Sequence, residues 1–337
     1  MPLTAQYGYA VARLRAMSGN LVEDSVLQRI LESEDLEGAF KVLGETVYSA
    51  WLVELKGSGD FDHVIESELV SVYDEVQRFV PDVRLVQLFR LPYDFHNVKV
   101  LLKSVILLRE GGERRFDLLT PLGNIPSDDL IMAMESEDFR LLSFGLHTII
   151  PTAFALWEQT RDILEVEKIL DSGLFAAMKK LAVESGIEQA LLWVRGKIDG
   201  ENIRNLLRLK RMDTDASAAA GFLHEGGFLS KERLLSLLSE PVESWPRAIA
   251  FTDVARAFSE VQDVTDLSAL LVEMERIIDD YVASILEKAK YKAFAPENIL
   301  AFLWRKELEA KNIRIALVSV ASNTDRTFAK GLFRHAG

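Results

Sequence analysis

The stretch YDFHNVKVLLKS, residues 93–104, places an acid, a histidine, an amide and a lysine within a turn and a half of helix. Side chains of these types can pass a proton or hold an anion when a fold turns them into one pocket. Other groups invite similar scrutiny. The acidic pairs Asp128-Asp129 and Asp279-Asp280 are of the kind that bind magnesium in helical enzymes, yet neither is followed by a third aspartate one turn on. The five histidines, His63, His96, His147, His224 and His335, are scattered without metal-ligand spacing. HExxH and GxxxxGK[ST] are both absent, and Gly57 and Gly59 in KGSGDF read as a turn because no strand–helix context follows. The basic run Arg208 to Asp213, RLKRMD, fits a helix end facing its own dipole or a spot for an acidic partner.

The opening pattern returns twice. Asp94, Asn97 and Lys99 are matched by Asp199, Asn202 and Arg204, and again by Glu309, Asn312 and Arg314. In each an acid stands three residues before the amide, and an apolar pair follows. The asparagines are 105 and 110 residues apart. A second element, VIESELVSVY, ILDSGLFAAM and IIDDYVASIL, aligns Glu66, Asp171 and Asp279, which precede the asparagines by 31, 31 and 33 residues. A third, beginning at Gly19, Gly123 and Gly227, has a glycine followed by the start of a helix, with Ser127 and Ser230 as N-cap candidates. Three elements in one order at near-constant spacing indicate three units of about 105 residues: 1–117, 118–217 and 218–337.

The repetition bears on the chemistry. A ligand site made three times is one reading of the amides and bases. The simpler one is that each Asn or base bonds another helix of its own unit, with Glu66, Asp171 or Asp279 as partners, because buried polar groups must find partners and so fix helix register. Catalysis rarely needs three dispersed copies, so the structural reading is preferred.

The elements that must carry these residues are helices. VLQRILESEDLEGAFKVL places Val26, Ile30, Leu31, Leu36, Phe40 and Leu43 mostly on one stripe, and LLVEMERIIDDYVASILEKA repeats the habit from Leu271 to Leu286. Alternating runs typical of strands are nearly absent, and prolines and glycine pairs such as Pro121, Pro126, Gly226-Gly227 and Pro241 punctuate the helices. The fold class expected is all-α. The longest uncharged stretch, LLSFGLHTIIPTAFALW, is short of the ~20 apolar residues of a membrane span and is expected to be a buried helix bent at Pro151.

The 337 residues carry 52 acids against 39 bases, a net charge of -13, and no cysteine. Such a surface repels nucleic acid and anionic lipid headgroups, and disulfides and thiolate metal sites are excluded. No cofactor is implied. The first residues lack the basic and apolar regions of a secretion signal.

With YGYAVARLRAM at Tyr7 to Met17 and DFHNVKVLLKS at Asp94 to Ser104, the chain resembles the C-subunit family of bacterial and archaeal V-type (A-type) ATPases and ATP synthases, the counterpart of the eukaryotic d subunit. The likeness extends over nearly the whole length. PLTAQ precedes the signature, and Ala316 replaces the leucine found at the other two copies. The resemblance implies three similar helical domains in a pseudo-threefold, funnel-like arrangement and a non-catalytic rotor subunit. It further implies contact with the central stalk and the membrane ring, and ATP-coupled transport of protons or sodium ions. The expected location is peripheral, on the cytoplasmic face of the membrane, as a monomer within the complex and without lipid insertion. Arg13 and Arg15 are candidates for docking a partner, with a plain surface helix as the simpler reading. The competing readings are a helical adaptor in another complex and a helical enzyme using the paired acids with magnesium.

Overall fold

The computed structural model describes residues 3–53, 55, 57, 60–109, 111–261, 266–287 and 291–335, so Gly59 lies outside the described residues. Its α-helices, in chain order, are α1 (Leu3–Ser18), α2 (Asp24–Leu31), α3 (Leu36–Leu43), α4 (Ser49–Leu52), α5 (Phe61–Phe79) and α6 (Arg84–Arg109). There follow α7 (Ser127–Ser136), α8 (Leu146–Thr160), α9 (Ile163–Ser185), α10 (Glu188–Arg211), α11 (Ala216–Ala219) and α12 (Lys231–Ser239). The last are α13 (Trp245–Ala248), α14 (Leu267–Glu287), α15 (Glu297–Ala321) and α16 (Arg326–Gly331). Among the described residues there is no strand, and the chain is all-α. Each long helix that bears an acid–amide pair (α6, α10, α15) follows a long partner (α5, α9, α14).

Two compact units form, Met1–Val86 with Ile249–Gly337, and Gln87–Ala248. In the first, α15 is the hub, packed by α1, α2, α3, α5, α14 and α16. Its apolar residues therefore run round the helix instead of along one stripe: Leu300, Leu303, Leu308, Ile313 and Leu317 are all buried. Ile30, Leu31, Leu43, Tyr48, Ile65 and Tyr73 complete this core. In the second unit α9 lies against both α8 and α10, and α10 against α12. Its core holds Phe89 stacked on Trp193 at 4.7 Å, with Ile150, Met178, Ile198, Leu206 and Trp245.

Local chemistry moves several boundaries expected from the pattern. The stripe from Val26 to Leu43 is two helices, because the Asp35 carboxylate caps the Gly38 N–H at 2.8 Å and starts α3 afresh. Ser230 caps α12 by accepting the Arg233 N–H, whereas Ser127 is already helical and Pro126 holds the cap position. Residues 141–157 do not form a buried helix. α8 is amphipathic, burying Leu146, Ile150, Ala153 and Trp157 at helical spacing while Pro151 sits exposed in its second turn. Lack of charge there marks an uncharged outer face, not burial. Pro92 also lies inside a helix, α6, so proline does not always punctuate. No helix among the described residues is long and apolar enough to cross a membrane.

Candidate functional site

The three acid–amide turns lie on α6, α10 and α15, and all six side chains are buried. Asn97 grips one residue of the following loop: its Nδ2 donates to the Thr120 carbonyl at 2.8 Å and its Oδ1 accepts the Thr120 N–H at 2.9 Å. Asn202 does the same to His224 at 2.8 and 2.7 Å. Asn312 does so to Arg334 at 2.9 and 2.8 Å. The expected partner of each amide was a helix carboxylate; the observed one is loop backbone. The reason lies in the side chain. An amide offers one donor and one acceptor side by side, which a peptide group matches in full and a carboxylate only by half.

Each acid seizes the backbone just ahead of a short helix. Asp94 Oδ1 accepts the Ile125 N–H at 2.9 Å, Asp199 Oδ1 accepts that of Leu229 at 3.2 Å, and Glu309 Oε2 accepts that of Val22 at 2.8 Å. Ile125, Leu229 and Val22 each stand two residues before the first helical residue, of α7, α12 and α2 respectively. At two of these corners an arginine one turn before the acid adds a further tie. Arg90 donates to the Gly123 carbonyl at 3.2 Å, and Arg195 to that of Gly227 at 3.1 Å. Glycine is required at both, since a Cβ on Gly123 would lie 2.6 Å from Asp94 Oδ1 and one on Gly227 2.0 Å from Asp199 Oδ1. Burial pushes both aspartates up to about 6, against the lowering effect of the N–H donors and the nearby arginines.

The third corner is reinforced differently. Lys306, only 2% exposed, donates to Glu309 Oε1 at 2.7 Å and to Glu68 Oε1 at 2.9 Å. The Tyr48 hydroxyl donates to Glu309 at 2.8 Å, and the Trp51 indole to Glu68 at 2.9 Å. Burial, and then the Glu309 charge, raises the Tyr48 phenol well above its usual range. Every carboxylate oxygen of this group has a donor, which is what a buried charge cluster requires.

The bases of the repeated turns face acids. Lys99 pairs with Asp171 on α9, joining residues from different sequence units instead of one. Arg314 meets Asp62, one turn before the half-buried Glu66 on α5, at 2.6 Å, and Arg204 meets Glu201 at 3.3 Å. Asp279 is held by Lys311 at 2.9 Å and Arg334 at 3.1 Å. Asp280 takes Arg276 at 2.9 Å and the His335 N–H at 2.7 Å, while Asp128 and Asp129 occupy the first turn of α7. Among the described residues no group of three or more His, Asp or Glu could hold a metal. Arg13 binds the Tyr9 hydroxyl at 3.0 Å and Glu75 at 2.9 Å beneath Phe79. Arg15 donates to the Ala293 carbonyl at 2.9 Å.

Arg90, Arg195 and Lys306 escape a reading of the sequence based on acids and amides alone. The first two carry a signal, since arginine stands four residues before the acid in all three turns, the third being Arg305. These groups face one another and the backbone, so the chemistry they perform is attachment of helices to loops.

A family profile described as ATP synthase (C/AC39) subunit matches residues 10–331. The A-type ATP synthase C subunit of Methanocaldococcus jannaschii is 25% identical, across 95% of this chain and 84% of its own length. The V-type sodium ATPase C subunit of Enterococcus hirae is 23% identical over 90% of this chain and 91% of its own. The A-type ATP synthase C subunit of Methanosarcina acetivorans is 25% identical over 97% and 92%.

Proposed function

The chain belongs to the ATP synthase (C/AC39) subunit family, and on that premise we propose that it is the non-catalytic rotor subunit of a rotary V-type or A-type ATPase. It joins the central stalk to the membrane ring. Torque passes through it between ATP chemistry in the soluble head and transport of a proton or sodium ion. The observation that carries this reading is the family match across residues 10–331.

The chemistry of the corners supports a mechanical part. A coupler must resist shear between its helices, and buried polar ties with every partner satisfied resist it in a way that non-directional apolar contact does not. We read residues 1–117, 118–217 and 218–337 as three copies of one helical unit in pseudo-threefold, funnel-like order. The support is the succession of corners: the acid of the first copy holds the start of α7, that of the second the start of α12, and that of the third the start of α2. Glu66, Asn97, Lys99, Asp171, Asn202, Arg204, Asp279, Asn312 and Arg314 are then fixtures of this frame. The protein sits peripherally on the cytoplasmic face, held by protein contacts, with the exposed Arg13 and Arg15 on α1 as docking candidates.

The test is a pull-down with tagged protein from detergent-solubilised membranes, the bound proteins identified by mass. Ring and stalk proteins are expected together, and the purified chain alone is expected to hydrolyse no ATP. Recovery of neither would overturn the proposal, and recovery of an unrelated assembly would point to a helical adaptor.

A further inference from the structure

Among the described residues, the third corner has an arginine without an acceptor. Arg305 stands one turn before Glu309 as Arg90 stands before Asp94 and Arg195 before Asp199. Those two guanidiniums donate to main-chain oxygens, whereas Arg305 has no hydrogen bond or ion pair among the described residues. It lines a pocket of about 430 Å³ together with Val22, Leu308, Glu309, Asn312 and Arg334. In the first two corners the loop runs unbroken from the residue gripped by the asparagine to the N–H held by the acid, from Thr120 to Ile125 and from His224 to Leu229. In the third those two attachment points belong to distant parts of the sequence, Arg334 and Val22. What this corner has not been given is the stretch that carries the oxygen.

The sequence supplies a candidate. Gly123 and Gly227, whose oxygens take Arg90 and Arg195, lie three residues after Thr120 and His224. Three residues after Arg334 stands Gly337. The surroundings agree as well: LLTPLG, FLHEGG and LFRHAG each have an apolar pair, three residues and a glycine. We infer that the pocket beside Arg305 is a binding site for extended main chain, and that its occupant is the segment following Arg334, with a Gly337 main-chain oxygen accepting from the Arg305 guanidinium. The site selects an oxygen acceptor on a glycine, because the acid of the corner presses where a side chain would start. The inference stands on the geometry of the corners and does not depend on the rotary role.

The experiment reads the reactivity of each arginine toward phenylglyoxal, mapped by mass spectrometry, in the full chain, in a chain truncated after His335 and in the full-length Gly337→Val variant. Arg90 and Arg195 serve as internal references for an intact fold. Arg305 is expected to react as slowly as Arg195 in the full chain. In both altered chains it should react about tenfold faster, the factor one charge-assisted hydrogen bond supplies. Equal Arg305 rates in all three chains overturn the inference. So does protection of Arg305 that arises only when stalk or ring proteins are added, which assigns the oxygen to a partner.

Discussion

Replacing Asn202 by alanine removes both arms of the grip on His224, which are 2.8 and 2.7 Å long and closed to solvent. Each neutral hydrogen bond contributes about 1 kcal/mol net, and a buried peptide group left unpaired costs about 1–3 kcal/mol. The His224 N–H and C=O are both stranded, so the loss is expected at about 2–5 kcal/mol. Asn202→Asp sharpens the test at equal volume. It keeps the acceptor for the His224 N–H but turns a carboxylate oxygen toward the carbonyl, so it should be at least as damaging at pH 7 and partly recover when protonated. Because the chain forms two compact units, one global unfolding free energy is poorly defined, and the readout should be local. Amide hydrogen exchange at His224, followed beside urea unfolding, meets that need. Protection should fall at least tenfold in Asn202→Ala, and the same substitution at Asn97 or Asn312 should act at Thr120 or Arg334. Unchanged exchange at His224 with an unchanged urea midpoint would refute the idea that these amides hold the corners.

Lys306→Met leaves Glu68 and Glu309 buried without their cation, at an expected cost of about 3–5 kcal/mol in thermal melting, and adding Glu68→Gln with Glu309→Gln should recover most of it. A neutral single variant would show that the cluster contributes nothing. Gly227→Ala forces a Cβ to 2.0 Å from Asp199 Oδ1 and should destabilise by about 2 kcal/mol, while Gly8→Ala, with nothing within 4 Å, should not. Asp94 and Asp199 are raised in the folded chain from 3.8 to about 6, so folding favours their protonated forms. The stability they confer is complete below about 3.8 and is lost as pH rises through about 6. Lowering pH from 7 to 5 should therefore restore about 1 kcal/mol for each, and the Asp94→Asn, Asp199→Asn double variant should lack this component of the pH profile.

The helices were legible in the sequence because their apolar spacing follows directly from burial. The recurring acid–amide turns were legible because a buried polar group leaves a residue type that can be matched at a distance. Their partners were not. Asn97, Asn202 and Asn312 bind backbone, which is the same at every residue, so the side chains of Thr120, His224 and Arg334 give no sign of being gripped. The Lys306 cluster was hidden for another reason: Tyr48, Trp51, Glu68 and Glu309 come from separate parts of the chain and meet only in the folded core. The arginines one turn before each acid were in plain view, but exposed arginine is common enough that a spacing of four carries little weight until the carbonyl it meets is seen. α8 misled because an outer face without charges looks like an inner one.

The claim that the chain carries torque is tested most directly by coupling. A rotary complex reconstituted in vesicles with and without this chain should be assayed for ATP hydrolysis and for ion uptake in the same preparation. Without the chain, hydrolysis by the head is expected to continue while uptake falls to background, and adding the purified protein back should restore uptake. Ion transport per ATP that is unchanged in its absence would contradict the account.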